Sequence, residues 1–182
     1  NRFNASTLGV WQRPSTDFLK VLDAAILIGS KTAGGYDITV GPLVDLWGFG
    51  PGDPRVGMPS RQSVSQAKAQ VGLDSLERKG SEARRLKAIE LDFSSIAKGY
   101  AVDLIAEALL ANNVNDFLVE VGGEMRVAGA SPRGDRWRVA IEQPLVERRE
   151  VATAITLTDQ SVATSGDYRN YFDLNGTRYS HT

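Results

Sequence analysis

Residues 34–52 combine glycine and proline with large apolar side chains. These residues contain six glycines and two prolines, together with Tyr36, Leu43, Trp47 and Phe49. Ordinary loops pair glycine and proline with polar residues instead. Because glycine permits close backbone approach and proline fixes φ, the segment should follow an irregular path while its aromatic rings pack. The composition fits a binding loop for a flat ligand, and it equally fits a buried loop that only completes a core.

A second chemically informative segment lies where an apolar run meets a helix. The run Leu86–Leu91 predicts a strand that ends at Asp92, and Ser94 or Ser95 would cap the helix that follows. Backbone N–H groups without intrahelical partners gather in the first turn of a helix, where they suit a phosphate. Lys98 would lie in this turn against the helix dipole, which is unfavourable unless an anion lies beside it. A phosphate site therefore competes with a plain capped helix and a solvated lysine.

The remaining patterns predict an α+β fold. Helical spacing of apolar residues predicts helices at about Thr16–Ser30 and Ser60–Val71, besides the helix at Ser95. Four or more antiparallel strands after three helices indicate mixed layers of helices packed on a largely antiparallel sheet. Asn175-Gly176 is a strong two-residue turn between the last two strands. The predicted strands are Asp116–Val121, Met125–Gly129, Trp137–Glu142, Val151–Leu157, Tyr171–Leu174 and Thr177–Ser180.

The bulk composition predicts one globular domain. The chain has 182 residues, of which 42% are hydrophobic and 24% charged, and its formal net charge is −1. This balance argues against a nucleic-acid partner. The basic run 78–87 is broken by Gly80 and Glu82, which predicts a solvated turn between strands. The absence of cysteine excludes a disulfide, a zinc thiolate site and a cysteine nucleophile within the chain.

Six segments follow one another in an order that is known from a protein family. They are Gly-Gly-Tyr-Asp-Ile-Thr-Val-Gly-Pro-Leu-Val-Asp-Leu-Trp-Gly-Phe (34–49), Leu-Asp-Phe-Ser-Ser-Ile-Ala-Lys-Gly-Tyr-Ala-Val-Asp (91–103), Val-Glu-Val-Gly-Gly-Glu (119–124), Trp-Arg-Val-Ala-Ile-Glu-Gln-Pro (137–144), Ala-Thr-Ser-Gly-Asp-Tyr-Arg-Asn-Tyr-Phe (163–172) and Tyr-Ser-His-Thr (179–182). In this order they resemble the ApbE family, the FAD:protein FMN transferases. The resemblance extends from Asn1 to Thr182 and implies an ApbE-like, T-fold-like architecture.

The resemblance implies an enzyme that uses FAD as its substrate and Mg²⁺ as its metal. Members of the family cleave the FAD pyrophosphate and move FMN onto a threonine hydroxyl of a target flavoprotein, releasing AMP. They are similar to periplasmic lipoproteins in their export, so any membrane attachment would be a lipid anchor outside this chain. The same residues would also serve an FAD-binding protein, or an FAD pyrophosphatase that gives FMN and AMP without transfer to protein.

The resemblance also implies roles for individual residues. Ser95 matches a metal-binding position, acting through its backbone carbonyl, and His181 matches the position of the catalytic base. The positions that match FAD contacts are Gly35, Tyr36, Asp37, Asp92 and Lys98, and more loosely Thr164 and Ser165.

Each of these motifs also has a structural interpretation. Aromatic rings such as Tyr36 more often pack in cores, and aspartates such as Asp37 and Asp92 often cap turns. The Gly122-Gly123-Glu124 segment would then be a bulge between strands, and Asp103 would form a structural ion pair.

A full family member would extend beyond both ends of this sequence. The C-terminal extension would carry an Asp and a Thr that complete the magnesium shell. The resemblance therefore implies a single ApbE-like flavin transferase domain over residues 1–182, truncated at both ends. Because Mg²⁺ requires near-octahedral oxygen ligands, we expect these residues alone to bind FAD weakly and to show no transfer.

Overall fold

The structure is a computed structural model, and it describes residues 2–51, 57–145, 148 and 150–181. The chain divides into two compact units, Asn1–Ile96 and Ala97–Thr182. Every strand pairing within a sheet of the described residues is antiparallel. Helices with antiparallel sheets confirm the predicted α+β class, while the single domain over the whole chain stays a prediction.

Helix α1 (Thr16–Lys31) organises the core of the first unit. Ser15 Oγ caps its first turn by accepting a hydrogen bond from Phe18 N at 3.2 Å. The ring of Phe18 meets the ring of Phe93 edge-on, with centroids 5.3 Å apart. The core thus joins the start of α1 to the segment around residue 93. Its buried members are Phe3, Leu19, Leu22, Ala25, Ile38, Leu76, Ala83, Ile89 and Leu91.

The other elements of the first unit are short. They are α2 (Gly41–Leu46), α3 (Arg61–Lys68), a 3₁₀ turn (Leu73–Ser75) and the hairpin of β1 (Leu76–Lys79) with β2 (Glu82–Arg85). Helix α3 is shorter than predicted, because Ser60 is its N-cap and Ala69 already its C-cap. The apolar run Leu86–Leu91 forms no strand, and only Glu90 makes an isolated bridge, to Val40.

The prediction of a solvated basic turn is wrong for Arg85. This residue is 5% exposed, and its guanidinium donates to Ile89 O at 2.8 Å and to Ser6 O at 2.5 Å. The backbone turn at Gly80 between β1 and β2 is as predicted. Arg85 therefore ties the N-terminal segment to the segment that follows β2.

The second unit places α4 (Ala97–Ala111) on one face of a three-stranded sheet. The sheet has the order β3 (Phe117–Val121), β4 (Glu124–Ala128), β7 (Ser161–Val162). One cluster on the helix side contains the buried residues Val102, Ala106, Phe117 and Val119. Because side chains alternate along a strand, Val127 points to the other face, where it packs with Val139 and Leu157.

The remaining strands of the second unit form two hairpins. They are β5 (Trp137–Glu142) with β6 (Val151–Leu157), and β8 (Tyr171–Leu174) with β9 (Thr177–Ser180). All four strands have the predicted bounds. Helix α4 begins at Ala97, later than predicted, since Ser94–Ile96 form a turn. None of the helices in the described ranges is long and apolar enough to cross a membrane.

Candidate functional site

The C-terminal end of α1 fixes the backbone of Gly35 and Tyr36. Thr32 Oγ1 accepts a hydrogen bond from Tyr36 N at 3.0 Å and donates to Ile28 O at 2.9 Å. Gly35 N donates to Thr32 O at 3.0 Å. A Cβ at Gly29 would lie 2.9 Å from Tyr36 O, so only glycine allows the loop to return this closely to α1. The loop that carries the predicted FAD contacts therefore has a defined start.

The side chain of Tyr36 contacts a second predicted site residue. Tyr36 Oη lies 2.9 Å from Ser95 Oγ, and either hydroxyl can be the donor. The ring of Tyr36 is half-buried and packs against the core of the first unit, so the structural interpretation also holds for the body of the ring. Ser95 is exposed. The structure thus brings together a predicted FAD contact and the predicted metal contact.

Asp37 forms an Asx turn, which is the structural role that the sequence analysis gave as the alternative to FAD binding. Its Oδ1 accepts hydrogen bonds from Thr39 N at 2.7 Å and from Thr39 Oγ1 at 2.6 Å. Thr39 is fully buried, and its Oγ1 also accepts from Gly72 N at 2.7 Å. All described hydrogen bonds of the carboxylate involve Oδ1. Asp37 therefore has a structural role that does not consume its second oxygen.

Asp92 lies beside the Asp37 turn because their backbones are hydrogen-bonded. Asp92 N donates to Ile38 O at 2.7 Å, and Asp92 Oδ1 accepts from Ser94 N at 2.7 Å in a second Asx turn. Asn4 pins the preceding residue, since its amide donates to Leu91 O at 3.1 Å and accepts from Leu91 N at 2.9 Å. Four predicted site residues of the first unit therefore lie together. We call Tyr36, Asp37, Asp92 and Ser95 the Tyr36–Ser95 cluster.

This cluster does not by itself complete a magnesium site. The described residues contain no group of three or more His, Cys, Asp or Glu side chains that could hold a metal ion. Mg²⁺ prefers near-octahedral oxygen ligands and gives up its water reluctantly. Ser95 and the Asp92 carboxylate offer oxygens, and a magnesium site would need further oxygen ligands beside them.

Lys98 lies in the first turn of α4, as predicted, and it is paired within the second unit. Its Nζ lies 2.8 Å from Glu124 Oε2 and donates to Gly122 O at 3.1 Å. The side chain of Glu124 is only 14% exposed, whereas that of Lys98 is 45% exposed. The anion that the sequence called for beside Lys98 is therefore a protein carboxylate, and the helix-dipole argument alone no longer points to a phosphate.

The other predicted residues of the second unit lie on its surface. Thr164 and Ser165 are exposed in the segment between β7 and β8. His181 is exposed after β9, and its Nδ1 lies 3.1 Å from Asn170 O. When Nδ1 carries the proton and donates to this carbonyl, Nε2 holds the lone pair that a general base needs. The roles of these three residues stay predictions.

Three residues that position the site were not singled out from the sequence. Thr39 had a recognisable pattern, because a threonine two residues after an aspartate often closes an Asx turn. Thr32 follows Lys31, the last residue of α1, whereas the sequence pattern predicted that the helix ends at Ser30. Glu124 follows Gly122-Gly123, which form a two-residue hairpin turn. The interpretation of that segment as a bulge is therefore wrong. A register shift occurs instead between β5 and β6, at Ile141/Glu142.

Comparison with protein families identifies the group to which the sequence is related. Residues 1–182 match the sequence model described as the ApbE family. The chain belongs to the ApbE family. A relative named FAD:protein FMN transferase from Vibrio cholerae serotype O1 is 41% identical over 182 residues, and one of that name from Haemophilus influenzae is 40% identical over 188. Each alignment covers 100% of this chain and 54% of the relative, so the chain spans about half the length of the curated relatives it matches.

Solved structures of the family share the fold. The apo form of the flavinyl transferase ApbE of Pseudomonas stutzeri superposes with a TM-score of 0.85 at 40% identity, covering 100% of this chain and 56% of the other. The flavin transferase ApbE from Vibrio cholerae gives a TM-score of 0.87 at 38% identity, covering 99% and 57%. The predicted resemblance and the ApbE-like α+β fold are therefore confirmed.

Proposed function

We propose that this protein transfers FMN from FAD to a threonine hydroxyl of a target flavoprotein and releases AMP. The observation that carries the proposal is the family match along all 182 residues. Relatives at about 40% identity are named FAD:protein FMN transferase, which supports the coarser step of flavin transfer. The Tyr36–Ser95 cluster supports it further, because residues predicted separately to contact FAD and metal lie together in the first unit.

The reaction is a phosphoryl transfer between two oxygens. The threonine Oγ forms a bond to the phosphorus of the FMN phosphate, and the bond from that phosphorus to the bridging pyrophosphate oxygen breaks. The electron pair of the broken bond leaves with AMP, and the threonine proton passes to a base. We assign the base to His181, whose contact with Asn170 O favours a tautomer with a lone pair on Nε2.

FAD recognition is assigned to the predicted contacts. In the first unit, Tyr36 offers a half-buried aromatic ring, and Asp37 offers a carboxylate oxygen outside its Asx turn. Fixed carboxylates and rings bind a polar, aromatic ligand without a large ordering cost, because the fold has already oriented them. Lys98 would supply a positive charge to a phosphate oxygen. Gly35, Asp92, Thr164 and Ser165 complete the assigned set.

Magnesium dependence is part of the proposal. A divalent cation supplies charge neutralisation for phosphate oxygens in this class of reaction. Ser95 is assigned as one ligand, with the other ligands outside the described residues. We also propose a periplasmic location and a lipid anchor beyond this chain, on the resemblance alone.

The direct test is covalent flavinylation. The full-length protein is mixed with FAD, Mg²⁺ and an acceptor domain that carries the target threonine, and the acceptor is weighed by mass spectrometry. The proposal predicts acceptor that gains one FMN, with AMP formed in equal amount. Replacement of the acceptor threonine by alanine is the control and should abolish the gain.

Two other outcomes would identify the alternative functions. FAD bound without any AMP would indicate an FAD-binding protein, and free FMN with AMP but unmodified acceptor would indicate a pyrophosphatase. The 182 residues alone are expected to give no covalent product, and mixing them with a separate complementary C-terminal piece should restore it. Flavinylation by these residues alone would contradict the need for outside metal ligands.

A further inference from the structure

The turn between β3 and β4 contacts the ammonium group of Lys98 through two of its residues. Lys98 Nζ donates to Gly122 O at 3.1 Å and lies 2.8 Å from Glu124 Oε2. Both partners belong to the segment Val121–Glu124, where β3 and β4 meet in register. A lysine on the surface of a helix is usually mobile, because its four-carbon stem has many rotamers. Here two contacts from one rigid turn limit that freedom.

The backbone of the turn is shaped to admit the stem of Lys98. Gly122 has φ of 58° and Gly123 has φ of 96°, both in the region that favours glycine. A Cβ at Gly122 would lie 2.9 Å from Lys98 Cδ, whereas a Cβ at Gly123 would meet no atom within 4 Å. Gly122 therefore suits the turn itself and also leaves room for the Lys98 stem, which would have to shift if a Cβ were present. Gly123 is required only for the turn.

The exposure of the pair is asymmetric. The Glu124 side chain is 14% exposed, and the Lys98 side chain is 45% exposed. The carboxylate is thus largely enclosed while the ammonium still reaches solvent. An ammonium has three N–H donors, and one of them donates to Gly122 O. Glu124 Oε2 lies 2.8 Å from Nζ in an ion pair that leaves this buried oxygen without a hydrogen bond. Donors of the ammonium therefore remain that can point away from the turn.

A second ion pair on the same helix and strand provides a comparison. Arg126 Nη1 lies 2.8 Å from Asp103 Oδ1, again between β4 and α4. Both of its partners are more open than Glu124, with side-chain exposures of 31% and 51%, and neither is an assigned FAD contact. The Asp103–Arg126 pair therefore shares the helix–strand contact but not the link to FAD.

We propose that Glu124 is a positioning residue for FAD binding, which rests on the proposed role of Lys98. Together with the Gly122 carbonyl, Glu124 holds the Lys98 ammonium so that a further N–H donates to an anionic phosphate oxygen of FAD. Glu124 itself does not touch the ligand. Its negative charge weakens the field of Lys98 at the phosphate, but the fixed direction of the donor outweighs this loss, because binding then orders no flexible side chain.

Binding measurements on the full-length protein separate positioning from charge. Dissociation constants for FAD and for riboflavin, which lacks phosphates, are measured by flavin fluorescence. Glu124→Ala should weaken FAD binding by about tenfold, a loss of about 1.4 kcal/mol. Glu124→Gln should recover most of the affinity, because its amide oxygen can accept a hydrogen bond from the ammonium at the same place. The riboflavin affinity should not change in either variant. A general structural defect would instead change the affinity for both FAD and riboflavin.

A double-mutant cycle tests whether Glu124 acts through Lys98. In a Lys98→Ala background, Glu124→Ala should have no further effect on FAD affinity. Gly122→Ala should weaken FAD binding more than Gly123→Ala, since only the former crowds Lys98. The matched control is Asp103→Asn, which disturbs the neighbouring ion pair and should leave FAD affinity unchanged.

Several results would overturn the proposal. Tighter FAD binding in both Glu124 variants would show that the charge of Glu124 matters more than its position. An equal loss in the Lys98→Ala background would show that Glu124 acts by another route, and an equal loss of riboflavin affinity would show a general structural role. A wild-type protein that binds no FAD would refute the proposed function together with this inference. If the wild type binds FAD and substitution of Lys98 or Glu124 leaves that affinity unchanged, this inference alone is refuted.

Discussion

Asp37 allows the structural and binding roles of one carboxylate to be separated. Its Oδ1 accepts two hydrogen bonds from the buried residue Thr39, while the FAD assignment requires the rest of the group. Asp37→Ala removes both functions. Asp37→Asn keeps an oxygen that can accept from Thr39 N and Oγ1, but it removes the negative charge. The two variants should therefore differ in stability more than in FAD affinity.

The magnitudes follow from the contacts. Hydrogen bonds to a charged acceptor contribute about 1.5–3 kcal/mol each. The hydroxyl of Thr39 can rotate toward another acceptor, but its buried N–H cannot, so we expect Asp37→Ala to lower the free energy of unfolding by about 2–4 kcal/mol. In a chain of this size that corresponds to about 5–15 °C in Tm. Asp37→Asn replaces charged by neutral hydrogen bonds of roughly half the strength, and should cost about 1–2 kcal/mol.

FAD affinity should respond differently from stability. Loss of a charged contact to a bound ligand should weaken binding by about ten- to a hundredfold in both variants, since neither retains the charge. Thermal unfolding without ligand and calorimetric titration with FAD measure the two quantities. Thr39→Val is the comparison, because it removes the hydroxyl bond to Asp37 but keeps the Thr39 N–H bond and the carboxylate charge; it should lower Tm and weaken FAD binding less than either Asp37 variant. If Asp37→Asn binds FAD as well as the wild type, Asp37 does not contact the ligand through its charge.

Two further predictions concern single hydrogen bonds. Thr32→Val removes the acceptor of Tyr36 N, and should lower stability by about 1 kcal/mol and weaken FAD binding a few-fold in calorimetry, whereas Thr32→Ser should restore both. In the second unit, the hydrogen bond from Ser131 and the nearby Arg133 and Arg138 guanidiniums hold the pKa of Asp135 below its ordinary value. A carboxyl group with a lowered pKa in the folded state stabilises the fold above its ordinary pKa, and this contribution disappears as the pH falls through the lowered value. Ser131→Ala should raise the pKa of Asp135 in an NMR titration and make stability less dependent on acid pH, and an unchanged titration would contradict the assigned cause.

The elements that the sequence predicted well are those with local causes. The β8–β9 hairpin has the predicted bounds because Asn175-Gly176 adopts positive φ at both positions, as a tight hairpin turn requires. Helix α1 begins where Ser15 caps it, and the cap needs only residues within one turn. Such features depend on a few neighbouring residues, so the sequence contains all the information that decides them.

The features that the sequence mispredicted depend on distant partners. Arg85 is buried with its two terminal guanidinium nitrogens donating to Ile89 O and Ser6 O, and no local pattern shows that these groups will meet. Helix α4 begins late because Asp92 draws Ser94 N into an Asx turn, which competes with the helical path. The Tyr36–Ser95 contact joins residues far apart in the chain. Only the family resemblance could have grouped these residues, because it assigns them to one binding site in a known fold.

Lys98 shows how far an energetically unfavourable residue in a helix can indicate a functional site. A lysine in the first turn of a helix opposes the dipole, and the sequence alone suggested that a bound anion would offset this. In the structure Glu124 already supplies the negative charge, so the penalty is removed without any ligand. What still allows a ligand is the incomplete use of the ammonium: one N–H donates to Gly122 O, and the side chain stays 45% exposed while that of Glu124 is 14% exposed. Exposure alone does not decide the role of Lys98, because burial of the whole pair would cost the desolvation of both charges. The ammonium on α4 is held at the β3–β4 turn and stays accessible to an anionic ligand, so the FAD affinities of the Lys98 and Glu124 variants decide between pairing and binding.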